Sequence, residues 1–424
     1  MPTLKIYRMK NSLTPLTLAL ILVSLNLAAP VHAQTLDLLI KGGHVIDPKN
    51  GINGTMDVGI ADGTIAEVAR DIPEDRAETV VDASGLYVTP GLIDLHTHVF
   101  FGTEPDAYLS NSYSSLPPDG FTFRSGVTTV VDVGGAGWRN FKRFKEQTID
   151  HARTRVLAFL NIVGSGMKGG PIEQNINDMD PKMTALVAQQ YPGVIVGVKL
   201  AHYRAHDWTP TDRAVEAGRL AEIPVMVDFG SAEPALPLDE LLLQHLRPGD
   251  IFTHTYAHVQ GRIAVVDEAG QVRPFVFAAQ ERGLIFDVGH GGGSFVFSQA
   301  VPATEQGFWP NSISTDLHTG SMNGGMKTLA NVMSKFLNLG MPIEDVILRT
   351  TWNPAQYLQR PDLGHLDVGA VADLAVFNLR TGDFGFVDTR GDRMPGTQKL
   401  EAELTIREGR IVWDLNGRSR PRWK

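Results

Sequence analysis

Cysteine is absent from all 424 residues. That excludes disulfides, thiolate metal ligands and cysteine nucleophiles, so any metal site must be built from nitrogen and oxygen donors. A surplus of positive charge is also missing. The 38 Lys and Arg stand against 47 Asp and Glu, for a net charge of −9. A nucleic-acid partner is not expected from such a balance, because phosphate binding needs clustered cations. Beyond the first residues there is no apolar run of the roughly 20 residues that a membrane span requires. No internal repeat or low-complexity tract stands out.

The first residues have the layout of a secretory signal peptide. Lys5, Arg8 and Lys10 form a basic start, an apolar stretch runs from Leu16 to Leu27, and Val31-His32-Ala33 offers a small-residue cleavage site before Gln34. A retained anchor is the alternative, but the stretch is short for a span. The expectation is removal of residues 1–33, a periplasmic or secreted protein, and no stable membrane insertion afterwards. A cysteine-free chain suits an oxidising compartment.

What is present is ordinary globular material. The chain is 43% hydrophobic and 20% charged, which is enough apolar residue for one large domain with a smaller companion. After Gln34, short strands are expected at Leu36–Lys41, His44–Ile46, Asp57–Ile60, Thr64–Val68 and Thr79–Asp82. Gly42-Gly43, Asp62-Gly63 and Ser84-Gly85 punctuate them. From Pro90 the rhythm changes, and apolar runs alternate with helix-length segments. The runs are Leu92–Leu95, Thr128–Val133, Val156–Ile162, Val194–Leu200, Pro224–Phe229, Ile251–Thr255, Leu284–Val288 and Ser312–Thr315. Alternation of this kind implies parallel βαβ units, and eight of them a closed (β/α)8 barrel. Short strands return at Ala372–Asn378, Leu404–Ile406 and Arg410–Trp413. The expected architecture is therefore α/β: a TIM-type barrel over 90–360, and a small β-sandwich domain made by both chain ends, 34–89 and 361–424.

His96 and His98 carry the strongest chemical signal. They close the run Pro90-Gly91-Leu92-Ile93-Asp94-Leu95 in the pattern Asp-Leu-His-Thr-His. Two histidines two apart at a strand end point the same way, because strand side chains alternate with period two. In a barrel they face the C-terminal mouth, where active sites sit, and two imidazoles there can bind one metal ion. Lys199, Asp228, His254, His290 and Asp316 also fall at strand ends. Singly, each has a plainer reading as a snorkelling lysine, a satisfied histidine or a helix-capping aspartate. Together they converge on one rim.

These residues bring out a resemblance. Pro-Gly-Leu-Ile-Asp-Leu-His-Thr-His at 90–98, and Gly364-His365-Leu366-Asp367-Val368-Gly369 followed by Ala372-Asp373-Leu374, resemble the amidohydrolase superfamily. Within it the chain is similar to the amidohydrolase/deacetylase branch, which is often confused with dihydroorotases. The stretch from Ser125 to Gly134, Arg247-Pro248-Gly249-Asp250, Thr253-His254 and Phe286-Asp287-Val288-Gly289-His290-Gly291 carry this narrower match.

The resemblance implies a two-metal centre, zinc with manganese as the alternative. His96 and His98 would hold the first ion. Lys199, carbamylated by CO2, would bridge both, since an unmodified ammonium can only donate. His254 would hold the second ion, and Asp316 would touch the first ion and the attacking water. His290 matches a position for substrate or supporting contact. The chain departs from the family's pattern at the end of the fifth strand, where Asp228 stands in place of a histidine ligand. A carboxylate can take that role. His202, His206 or His258 could also fill the vacancy, and a weakened or absent second metal is the other outcome.

The implied reaction is hydrolysis of an acyl amide or ester of a small molecule, such as an N-acyl amino acid or O-acyl hydroxy acid. A metal that lowers the pKa of water from about 15.7 to about 7 would drive it, with Asp316 as proton shuttle. A cyclic amidase of the dihydroorotase or hydantoinase kind and a lactonase are the rival hydrolases. A binding protein with a decayed metal site is the rival of another class. The resemblance also implies a homo-oligomer.

Overall fold

The structure is a computed structural model that describes residues 35–102, 112, 114–228 and 230–423. The expected signal peptide lies outside the described residues. Five strands come first: β1 (Leu36–Asp47), β2 (Ile52–Ala61), β3 (Thr64–Ala69), β4 (Ala77–Asp82) and β5 (Tyr87–Pro90). Seven follow: β6 (Leu92–Thr97), β7 (Val127–Gly137), β8 (Arg155–Asn161), β9 (Ile195–Leu200), β10 (Val225–Val227), β11 (Ile251–Phe252) and β12 (Ile285–Phe286). The last three are β13 (Leu374–Val387), β14 (Arg393–Arg407) and β15 (Arg410–Asp414).

Strands β6 to β12 pair in parallel, each with the next in sequence. They are apolar almost throughout because helices and loops cover the outside of the sheet while the inside fills with side chains. One apolar cluster takes a residue from every one of these strands, including Leu95, Val133, Phe159, Val196, Met226, Ile251 and Ile285. A single core can touch all seven only if the sheet curls on itself, as a TIM-type barrel does.

The eighth run, Ser312–Thr315, is not a regular strand, which corrects the expectation of eight. It nevertheless occupies the eighth place. Ser312 bridges Asp287 and Leu317 bridges Thr97, both in parallel. The backbone N–H of Val288 donates to Ser312 O at 3.2 Å, and that of His98 to Leu317 O at 2.9 Å. The barrel is thus closed by single bridges. A continuous ladder fails because Asp316 has φ 49°, a left-handed conformation incompatible with an extended strand.

Both chain ends form one further sheet of eight strands, in the order β15-β14-β13-β5-β1-β2-β3, with β4 also on β1. Its core joins Leu38, Ile40, Val58, Ile65, Val88, Leu374 and Leu404, so its two halves close over shared apolar side chains. The two expected strands at Leu36–Lys41 and His44–Ile46 are one strand with a slip in register between Ile40 and Gly43. β13 and β14 run well past the expected Asn378 and Leu404 limits as a long antiparallel hairpin. Among the described residues, no helix is long and apolar enough to cross a membrane.

Candidate metal centre

Each of the expected ligands stands at the C-terminal end of a barrel element. His96 is the last residue but one of β6 with His98 just beyond the strand, Lys199 is the last but one of β9, Asp228 follows β10, His254 follows β11, and Asp316 lies in the closing segment. All six are buried. His98 Nε2 lies 3.0 Å and His96 Nε2 3.5 Å from Asp316 Oδ1. Among the described residues this is the trio that brings one ligand atom of each within 4.8 Å of the others.

A hydrogen bond behind His96 decides where its lone pair points. Thr253 Oγ1 donates to Asp287 Oδ2 at 2.8 Å, so it can only accept from His96 Nδ1, 2.9 Å away. That leaves the unprotonated Nε2 of His96 facing Asp316. Burial, and then the charge of Lys199, push the His96 imidazole down to about 3, which keeps it neutral. Burial opposes charge on Asp316, but His96, His318 and His98 outweigh it and hold the carboxyl well below the usual range. A lone pair directed at a carboxylate is repulsive unless a cation sits between them, and such oriented imidazoles are the mark of metal sites. The residues fit a divalent metal.

Lys199 gives a second sign of fit. Its Nζ is buried and has no hydrogen-bond partner among the described residues. Burial lowers its pKa, while Asp228 and Asp316 both act on it in the opposite sense, so it stands between them. A bare buried amine is costly, whereas one that has gained two carboxylate-like oxygens is a ligand.

Asp228 sits among three partners. Its Oδ2 lies 3.2 Å from His202 Nε2 and 3.6 Å from His254 Nε2, and its Oδ1 lies 3.4 Å from Arg262 Nη1. His254 Nδ1 donates to Gly289 O at 2.6 Å. A cavity of about 290 Å3 opens over this group and Asp316, with His202, Arg204, Arg262, Ser294 and His318 in its wall.

His290 stands behind the centre. Its Nδ1 lies 3.0 Å from Gly291 O, and its Nε2 lies 2.5 Å from Nζ of the buried Lys335. Its ring stacks on Phe295. Both ring nitrogens thus lie against protein groups. Of the other two candidates for the vacancy, His206 sets Nδ1 2.9 Å from Pro234 O, and the backbone carbonyl of His258 accepts from Arg390.

Sequence reasoning left several site residues without a role. His318 Nε2 is 3.8 Å from Asp316 Oδ2, and the period-two spacing that singled out His96 and His98 also links His318 to Asp316. Asp287 anchors the ligand shell by accepting from Thr253, Ser312 and Ser314. Three glycines line the centre so tightly that a Cβ would not fit. At Gly291 it would lie 2.3 Å from Asp316 Oδ2, at Gly289 2.8 Å from His254 Nδ1, and at Gly134 2.8 Å from Lys199 Cγ. Nine non-glycine residues among those described have positive φ, and three of them are His202 (52°), His254 (60°) and Asp316 (49°). Backbone strain gathers where function over-determines the structure.

Fold and site together define a barrel hydrolase. A model of the amidohydrolase family matches residues 302–412. A deacetylase of Agrobacterium fabrum is 35% identical over 342 residues, 78% of this chain and 80% of that one. A deacetylase of Enterococcus faecalis is 30% identical over 382 residues, 88% of this chain and 98% of that one. Among solved structures, one described as an adenine deaminase superposes with a TM-score of 0.78 at 29% identity, covering 89% of this chain and 100% of the other. One described as a dihydroorotase has a TM-score of 0.77 at 31% identity, covering 89% and 99%. The chain belongs to the amidohydrolase family, and it is a hydrolytic enzyme.

Proposed function

We propose that this enzyme cleaves the acyl amide or ester bond of a small N-acyl amino acid or O-acyl hydroxy acid. The observation that carries the reading is the convergence of His96 Nε2 and His98 Nε2 on Asp316 Oδ1, next to the unpartnered amine of Lys199. His96, His98 and Asp316 would hold one divalent ion, and Lys199, Asp228 and His254 a second. Zinc is favoured by the nitrogen-rich first trio, with manganese as the alternative.

Such ions, when bound, acidify water and polarise a carbonyl. The chain's own residues do the rest. Burial lowers the pKa of Lys199 and so eases release of the proton that frees its lone pair; the neutral amine would add to CO2 and lose one further proton as the carbamate forms. Asp316, kept ionised, takes the proton of the attacking water and passes it to the leaving amine or alkoxide. Arg204 and Arg262 in the cavity wall give a carboxylate-bearing substrate its counter-charge. A cavity near 290 Å3 suits a small molecule.

The deacetylase reading is favoured by relatives named deacetylase that align over about four-fifths or more of both chains, and ring opening stays as the rival because the structure described as a dihydroorotase also aligns over 89% of this chain and 99% of its own at 31% identity. The test is a panel of acetylated amino acids, acetylated hydroxy acids, cyclic amides and lactones, with products weighed by mass. Release of a free acid and a separate amine or alcohol supports the proposal. Ring opening with no fragment lost replaces it with a cyclic amidase or lactonase. Export rests on the Lys5–Ala33 pattern, and homo-oligomerisation on the resemblance. Cell fractionation and light scattering test these two parts.

A further inference from the structure

His318 is held on the wall of the reaction cavity by a tight turn. The buried Ser321 hydroxyl is the centre of that turn. It donates to Asp316 O at 2.8 Å and accepts from the His318 N–H at 3.0 Å. One side chain therefore fixes the main chain of both Asp316 and His318. The Gly320 N–H then donates to His318 Nδ1 at 3.0 Å. A backbone N–H can only donate, so Nδ1 is the unprotonated nitrogen and the proton of the neutral ring sits on Nε2.

That Nε2–H is a spare donor beside the base. It lies 3.8 Å from Asp316 Oδ2, beyond hydrogen-bond range, and no other acceptor reaches it among the described residues. Gly292 and Gly293 form the neighbouring wall without side chains. A Cβ on Gly292 would come 3.7 Å from His318 Cε1, so the glycine keeps this edge of the ring open. Water satisfies such a donor until a ligand group replaces it. Asp316 is thereby divided: Oδ1 faces His96 and His98, and Oδ2 faces His318.

We infer that His318 is a catalytic residue whose Nε2–H donates to the acyl carbonyl oxygen as that oxygen becomes an oxyanion. The inference rests on the deacylase reading of this cavity. Water adds to the carbonyl carbon, and the π pair moves onto the oxygen held by His318. The pair re-forms the double bond as the bond to the leaving nitrogen or oxygen breaks, and the leaving atom takes its proton from Asp316. His318 keeps its own proton throughout. The gap between Nε2 and Oδ2 is too long for one hydrogen bond, and it lets neighbouring atoms of one tetrahedral carbon meet both groups. A donor placed in advance acts most on charge that appears only in the transition state, and so on kcat more than on KM.

Two substitutions in the full-chain enzyme separate this role from a structural one. The side-chain oxygen of His318→Asn takes the place of Nδ1 and accepts from Gly320, but no donor reaches the Nε2 position. The amide of His318→Gln reaches the Nε2 position and gives up the bond to Gly320. On the best-cleaved acylated substrate, His318→Asn should lose about 10²–10³-fold in kcat with little change in KM, as removal of one oxyanion donor does. His318→Gln should recover much of that loss. Elemental analysis should find the same metal content in all three proteins, because a protonated Nε2 is no ligand. A turn that only needs its cap gives the reverse order. His318→Gln no faster than His318→Asn, an unchanged kcat in His318→Asn, or metal lost from it overturns the inference. Should His318→Asn fail to fold, the wild-type 15N imidazole spectrum decides, and a proton on Nδ1 of His318 overturns the inference. Methylphosphonate, the tetrahedral counterpart of an attacked acetyl group, gives a reading without turnover. By calorimetry it should bind the wild type and His318→Gln more tightly than His318→Asn. A chain that cleaves no acyl substrate yet keeps this order of binding overturns the deacylase reading alone. Acyl cleavage with full kcat in His318→Asn overturns this inference alone, and with neither turnover nor that order both fall.

Discussion

Asp94 and Thr315 clasp the first and last elements of the barrel. Thr315 Oγ1 donates to Asp94 Oδ2 at 2.5 Å, and Thr315 N to Asp94 Oδ1 at 3.0 Å. Asp94 stands two residues before His96, and Thr315 one before Asp316. The clasp therefore sets the distance between the two sides of the metal trio where the barrel lacks a continuous eighth strand.

Thr315→Val keeps the shape of the side chain and removes its donor. A buried carboxylate oxygen then loses its partner, at a cost of about 1–3 kcal/mol. Thermal denaturation should show a lower Tm, and elemental analysis should show less bound metal after dialysis. An unchanged Tm and metal content would mean that the single bridges alone close the barrel.

Asp316→Asn should leave His96 and His98 able to bind metal while removing the base. Turnover should fall by about 10²–10⁴-fold, the usual worth of a positioned acid–base group. Full activity in this variant would sink the proton-shuttle role.

Lys199→Ala removes the carbamate but not the imidazoles. Metal per chain should fall, and short carboxylic acids should restore part of it by supplying the missing oxygens. Wild-type protein prepared without CO2 should gain metal when bicarbonate is added. If Lys199→Ala holds the normal complement at the normal rate, the carbamate is not part of the centre.

Asp57 ties the small sheet together away from the site. It is buried, and burial would raise its pKa, but donation from the Ile72 N–H at 2.8 Å, Lys41 Nζ at 2.9 Å and the Gly42 N–H at 2.7 Å holds it below the usual value of 3.8. A carboxyl depressed in the fold stabilises it above the unfolded pKa and loses that contribution as the pH falls through the folded one. Asp57→Asn should therefore lower Tm at neutral pH, and the gap from wild type should close as the pH drops below about 4. A gap that stays constant down to pH 3 (roughly one unit under the reference value) would show that shape, not charge, is what Asp57 contributes.

Much of the site was legible because it follows strand geometry. The two-residue spacing of His96 and His98, and the placing of Lys199, His254 and Asp316 at the ends of apolar runs, pick out residues that the fold gathers, buried, at the barrel mouth. Glu173 was not legible, because its contact with His202 spans 29 residues and joins a loop to a 3-10 helix. The eighth strand was read from its apolar pattern, but the left-handed φ of Asp316 does not show in residue type. The outer halves of β13 and β14 are largely exposed and carry Gly382, Gly385, Pro395 and Gly396, which read as turn residues, so the hairpin looks like loop until its pairing is seen.

The glycines packed against the ligands constrain how this enzyme can change. With Cβ atoms barred at Gly134, Gly289 and Gly291 by Lys199, His254 and Asp316, single substitutions there disturb the chemistry before they alter its target. Arg204, Ser231, Gln260 and Ser294 line the cavity away from these glycine contacts, so changes in substrate choice are expected there first. A mutational library aimed at those four positions samples new specificities on a reactive floor that stays constant, whereas one spread over the whole cavity spends most of its members on inactive protein.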